Sequence, residues 1–163
     1  MAAKESKEVK LLDLLKEKFI VLDLKARTKN EAIMELVGLI AQSKKLKNKK
    51  AFFEAIMERE ALGSTGIGDG IAIPHAKTKV TKGFILALGR SATGIDFGAL
   101  DGENTYLFFI LASPKEEVGT HLKILADISH LVKDKFIVGL LKKAKSEKEI
   151  LKIISGVEKQ RNR

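Results

Sequence analysis

GFILALG (83–89) and TYLFFILA (105–112) are the two stretches from which the fold follows. Each is apolar almost without a break, where a strand with one wet face would alternate. Strands of this kind are covered on both faces, and the flanking sequence supplies the cover. Upstream, Thr28 and Glu31 have capping-box spacing, and Ala32, Ile33, Leu36, Val37 and Ile40 recur at helical period. Asn48 can cap a second helix that turns Phe52, Ala55 and Ile56 inward, runs toward Arg59 and ends before Gly63. Downstream, a helix over 118–133 is apolar at 124, 125, 128, 131 and 132, and a kinked continuation covers 134–143. Ser146 and Glu149 repeat the capping box ahead of Ile150, Leu151, Ile153 and Ile154. A short helix over 9–18 and a short strand over 19–22 precede all of this. The expectation is one α/β layered domain over 9–156, with helices on both faces of its sheet. Residues 1–8 read as a flexible start, and 157–163 as a flexible basic tail with nothing to pack.

Between these elements lies GSTGIGDGIAIPHAKT (63–78), with four glycines and few long side chains. This is loop chemistry around one short apolar run. Pro74 fixes its own φ and biases Ile73 to an extended conformation, so His75 is presented by backbone at a strand end. A neutral imidazole so placed can attack phosphorus or shuttle a proton near pH 7, or it can simply fill a turn. Thr65, Gly66 and Gly68 permit turns that expose consecutive N–H groups. The spacing is neither GxxxxGK[ST] nor GxGxxG, and an ordinary tight turn would use the same residues. His121 falls on the apolar stripe of its helix with Leu125, Ile128 and Val132, either as a buried core histidine or as a partner for His75. His130, nine residues on, falls on the opposite side. Arg59 suits a helix C-terminus, and its guanidinium could equally reach an anion held by the following loop. Asp96 and Asp101 read as turn organisers, and no carboxylate spacing marks a glycosidase or a two-metal pair.

The 163 residues carry a net charge of +9 and no cysteine. Without cysteine there are no disulfides, thiol nucleophiles or thiolate metal sites, which points to a cytoplasmic protein. No apolar run reaches the roughly 20 residues that span a bilayer. The positive charge sits in the flanking helical segments, mostly as lysines of solvated faces such as SKKLKNKK (43–50), while the glycine-rich middle is neutral. That distribution gives no reason to expect a specific nucleic-acid partner, although polyanions will attract such a chain at low salt. Even if His75 and His121 meet, no third ligand is evident, so no metal site is expected.

Taken together, REALGSTGIGDGIAIPH (59–75), GIDFGALDG (94–102), LFFILASP (107–114) and HLKILADIS (121–129) resemble the IIA domain of the bacterial sugar phosphotransferase system, fructose–mannitol class. That class also contains the nitrogen-regulatory IIA proteins. The resemblance spans nearly the whole chain, and Ala76 stands where the family often has glycine. It implies a mixed, mostly parallel sheet of about five strands. It implies a phosphoryl carrier needing no cofactor, in which His75 accepts the group from the phosphocarrier protein HPr, through Nε2, with its other nitrogen held by a backbone carbonyl. His121 and Arg59 would stand beside it, and Thr65, Gly66 and Gly68 would offer N–H groups to the phosphoryl oxygens. The onward partner would be a sugar-specific IIB domain in fructose/mannitol-type uptake or, in the regulatory branch, a target protein. A noncatalytic interaction module that keeps the fold is the remaining alternative.

Overall fold

In the computed structural model, which describes residues 8–161, the two apolar stretches form the antiparallel centre of a six-stranded sheet. In chain order the elements are α1 (Leu11–Leu14), β1 (Ile20–Val21), α2 (Lys29–Ile40), α3 (Lys49–Ala61), β2 (Gly66–Gly68), β3 (Ile71–Ala72), β4 (His75–Thr78), β5 (Ile85–Ile95), β6 (Thr105–Pro114), α4 (Val118–Lys133), α5 (Lys135–Lys143) and α6 (Glu147–Arg161). The strand path is β1-β5-β6-β3-β2, with β4 also on β6. The sheet is mixed: β1–β5, β3–β6 and β4–β6 pair in parallel, β5–β6 and β2–β3 antiparallel.

β3 and β4 follow one another along the same edge of β6, against Leu107–Phe108 and then Leu111–Pro114. Pro74, which has no N–H to give a ladder, interrupts them, and its carbonyl accepts the N–H of Leu111 at 3.0 Å. The break makes six strands of about five and sets His75 at the start of β4.

The faces of β6 decide what stands near His75. A Cβ on Gly89 would lie 2.8 Å from Leu36 Cδ2, so Gly89 faces α2, and its register partner Phe108 shares that face. The opposite face carries Leu107, Phe109, Leu111 and Ser113. His75 is paired with Leu111 and Lys77 with Ser113, so both side chains project to that second face, where α4 packs. A fully buried phenylalanine such as Phe52, Phe108 or Phe109 contributes roughly 2–3 kcal/mol, against about 1 kcal/mol for a helix cap. Packing against β5 and β6 therefore outweighs the caps in seating the helices.

The caps are nonetheless where the sequence puts them. Thr28 Oγ1 accepts the N–H of Glu31, Asn48 Oδ1 that of Ala51, and Ser146 Oγ that of Glu149. At two of them the glutamate reaches one residue further back than a capping box requires. Glu31 accepts the N–H of Arg27, and Glu149 that of Lys145. Asp134 makes the expected kink by capping α5.

Two expectations are corrected. The helix expected over 9–18 is one turn of α-helix and one of 3₁₀-helix over Glu17–Phe19, because the chain extends at Leu15 and Lys16 to carry Phe19 and Ile20 into the core. The tail from residue 157 is no loose end as far as Arg161, since α6 continues through it. Val157 packs against the core, Glu158 accepts the N–H groups of Leu11 and Leu12 at 2.7 and 3.1 Å, and Arg161 pairs with Asp127 at 2.8 Å. Residues 1–7 of the expected flexible start, and 162–163, lie outside the described residues. No helix among the described residues is long and apolar enough to cross a membrane.

Candidate phosphoryl site

His75 and His121 meet on the α4 face of the sheet. Their ring centroids are 5.5 Å apart, with the planes tilted by 52°. His75 is half-buried at the start of β4, and its Nδ1 lies 2.7 Å from the carbonyl oxygen of Ile73. A carbonyl only accepts, so Nδ1 carries the proton and Nε2 holds a lone pair. His121 enters from the first turn of α4, only 4% exposed, with Nδ1 2.7 Å from Ser113 Oγ. His130 is exposed on the far side of the same helix.

Both rings lie in an open cleft of about 610 Å³ that also includes Arg59, Lys77, Lys115 and the apolar Leu62 and Leu122. Arg59 comes from the last turn of α3, where one guanidinium nitrogen donates to the carbonyl of Gly63 at 2.9 Å. It thus does the helix-closing work that its position suggests while lining the cleft. Burial lowers the pKa of His75. The Ile73 carbonyl and the Glu60 carboxylate oppose the shift, and Arg59 and Lys77 add to it. Burial, followed by the proximity of His75 and Lys77, brings His121 down to about 4. Near pH 7 both imidazoles are therefore neutral, one presenting an unprotonated Nε2 in a cleft where Arg59, Lys77 and Lys115 outnumber the one carboxylate, Glu58. That arrangement suits attack on a phosphorus atom whose oxygens carry negative charge.

Thr65, Gly66 and Gly68 do not line this cleft. Thr65 is buried, and both its N–H and its hydroxyl donate to the Glu60 carboxylate, which is also paired with Lys29 at 2.8 Å. The Gly66 N–H donates to Ser64 Oγ, and Gly66 and Gly68 pair with Ala72 and Ile71 in the β2–β3 hairpin. Thr65 instead supports the site from behind. The Thr65 carbonyl accepts the N–H of Ile73, the residue whose own carbonyl holds His75. Gly68, at φ 99°, lets the hairpin turn beside Asp101. Asp101 and Asp96 do organise turns. Asp101 accepts the N–H groups of Asp69 and Glu103, which hold its carboxyl below the usual range, and Asp96 accepts that of Gly98.

Sequence reasoning gave no site role to Glu60, Lys77, Lys115 or Ser113. Lys77 had a signal, because a residue two past His75 on a strand shares its face. Ser113 had none, since its place opposite Lys77 depends on the β4–β6 register.

A family model described as "Phosphoenolpyruvate-dependent sugar phosphotransferase system, EIIA 2" matches residues 13–157. The chain belongs to this family. Its relatives include the fructose-specific EIIABC component of the phosphotransferase system of Bacillus subtilis (strain 168), 38% identical over 93% of this chain. The chain spans 24% of that relative's length. A nitrogen regulatory protein of Bradyrhizobium diazoefficiens is 32% identical over 89% of this chain and 94% of its own length. Among solved structures, the nitrogen regulatory protein IIA-Ntr of Neisseria meningitidis superposes with a TM-score of 0.83 at 32% identity, covering 88% of this chain and 98% of the other. The protein is therefore of the IIA phosphoryl-carrier type, a family of phosphotransferase components with both sugar-specific and nitrogen-regulatory members.

Proposed function

We propose that this protein accepts a phosphoryl group from the phosphohistidine of HPr on Nε2 of His75 and passes it to the cysteine of a sugar-specific IIB domain. The observation that carries the reading is the Ile73 carbonyl on Nδ1, which leaves Nε2 as the free nucleophile inside a cationic cleft. In the transfer the bond from phosphorus to the donor imidazole breaks as the bond to Nε2 forms, and the electron pair returns to the donor ring. Arg59 and Lys77 counter the charge on the moving group, and His121 helps hold it. Thr65, Gly66 and Gly68 act at one remove, by keeping Ile73 in place. The reaction takes place in the cytoplasm.

A second reading, a regulator whose phosphorylation state governs binding to a target protein, is favoured by the nitrogen regulatory relatives that match along nearly their whole length. Incubation with phosphoenolpyruvate, enzyme I and HPr, followed by intact-mass measurement, tests the shared step. The expected result is gain of one acid-labile phosphoryl by the wild type and by His121→Ala, and none by His75→Ala. No gain by the wild type beside a working control IIA protein would overturn both readings and favour a noncatalytic interaction module. Adding a cognate IIB domain then separates the two: transfer to it supports uptake, and retention of the label supports regulation.

A further inference from the structure

Ser113 and His121 form a buried pair in which the phosphoryl-transfer reading gives no part to the serine. The hydroxyl oxygen is 2.7 Å from Nδ1, and both residues are almost wholly excluded from water. A serine hydroxyl can donate or accept, so two arrangements are open. If Nδ1 carried the proton and donated to Oγ, the serine's own proton would need another acceptor, and Ser113 Oγ makes no other hydrogen bond among the described residues. A buried donor left without a partner is the costly outcome. If the hydroxyl donates to the Nδ1 lone pair, both groups are satisfied, and the ring proton of the neutral imidazole sits on Nε2.

We propose that Ser113 is a positioning residue that fixes His121 in the Nε2–H tautomer, so that His121 presents a hydrogen-bond donor, not a lone pair, to the phosphoryl group on His75. The proposal rests on the phosphoryl-transfer reading above for its consequence, but not for the tautomer itself. The two histidines then carry opposite tautomers for a definite reason. A backbone carbonyl can only accept, which puts the His75 proton on Nδ1. A hydroxyl with no other acceptor must donate, which keeps the His121 proton off Nδ1. A lone pair on His121 Nε2 would instead repel the phosphoryl oxygens. The serine side chain reaches the ring because β4 and β6 run in register, which sets Ser113 on the face that carries His75 and Lys77.

Nitrogen-15 NMR of the histidine rings, combined with transfer rates from phospho-HPr, tests this in the wild type, Ser113→Ala and Ser113→Thr. The wild type is expected to show a protonated Nδ1 at His75 and a protonated Nε2 at His121, with the His121 Nδ1 resonance displaced by its hydrogen bond. In S113A that resonance moves to the position of an unbonded nitrogen and transfer slows about tenfold, a fraction of the loss when a transition-state donor is removed outright. S113T, which restores a hydroxyl, recovers both. A protonated Nδ1 at His121 in the wild type overturns the proposal, and so does an S113A protein whose resonance is unchanged, whatever its rate. A shifted resonance with an unchanged rate overturns the role in transfer. If the wild type takes up no phosphoryl at all, the transfer reading fails, while the ring spectra still decide the tautomer.

Discussion

The two walls of the cleft hold their histidines by different means. On the β4 wall, His75 is held directly by backbone, with Pro74 before it and the Ile73 carbonyl on Nδ1, while the Glu60 carboxylate holds Thr65, whose carbonyl fixes Ile73 from behind. On the α4 wall, His121 is aimed by a side chain from a strand partner, Ser113. A backbone acceptor permits only one tautomer and cannot itself be deleted by a side-chain substitution, which suits the atom that must form the covalent bond. A hydroxyl can be removed by one mutation, so the second wall is the adjustable one.

The largest expected difference between the walls is in acid. His121 titrates near 6.5 when unfolded and about 4 when folded, so between those values the unfolded chain binds more protons and stability falls as pH falls. The loss by pH 4 is at most about 3 kcal/mol from His121, with His75 adding in the same direction. Urea titrations at pH 7 and pH 4.5 on the wild type and His121→Gln should show a markedly smaller pH slope in the variant. Equal slopes would show that the two walls do not differ in this respect. Next in size, His121→Ala should still take up phosphoryl but about a hundredfold more slowly, the usual cost of one lost transition-state donor, as read by rapid-quench transfer from phospho-HPr.

Glu60→Gln probes the support behind the first wall. It removes the buried charge that serves both the half-buried Lys29 and Thr65 while keeping an acceptor oxygen, and denaturant unfolding should show a loss of about 2 kcal/mol. Because Thr65 positions Ile73, the same variant should broaden the His75 ring resonances and leave those of His121 sharp. The smallest effect belongs to the face away from the site. Gly89→Ala forces Leu36 or Leu24 aside and should cost about 1 kcal/mol in the same unfolding measurement, with transfer rates unchanged.

The contrast between the walls also marks what the sequence makes legible. The Pro74–His75 dipeptide, the apolar stripe that carries His121, and the caps at Thr28, Asn48 and Ser146 are local patterns, each found where its pattern puts it, and the covered strands GFILALG and TYLFFILA form β5 and β6, although β5 runs on past Gly89 to Ile95. Ser113 and Glu60 depend on register and on contacts between distant segments, for which a lone serine or glutamate gives no sign. The glycine loop misleads for a related reason. Glycines allow N–H groups to be exposed, but here the Thr65 and Gly66 N–H groups are taken up by Glu60 and Ser64. The end of α6 was illegible because its partners, Leu11, Leu12 and Asp127, are remote in sequence.

The most direct test of the site is the identity of the nitrogen that binds phosphorus. Phosphoprotein made from nitrogen-15 histidine-labelled chain, observed by NMR with phosphorus-31 coupling, should show the coupling at Nε2 of His75, with Nδ1 still protonated and bonded to Ile73. Coupling at Nδ1, or at His121 or His130, would contradict the assignment of the Ile73 carbonyl as the group that selects the nucleophile.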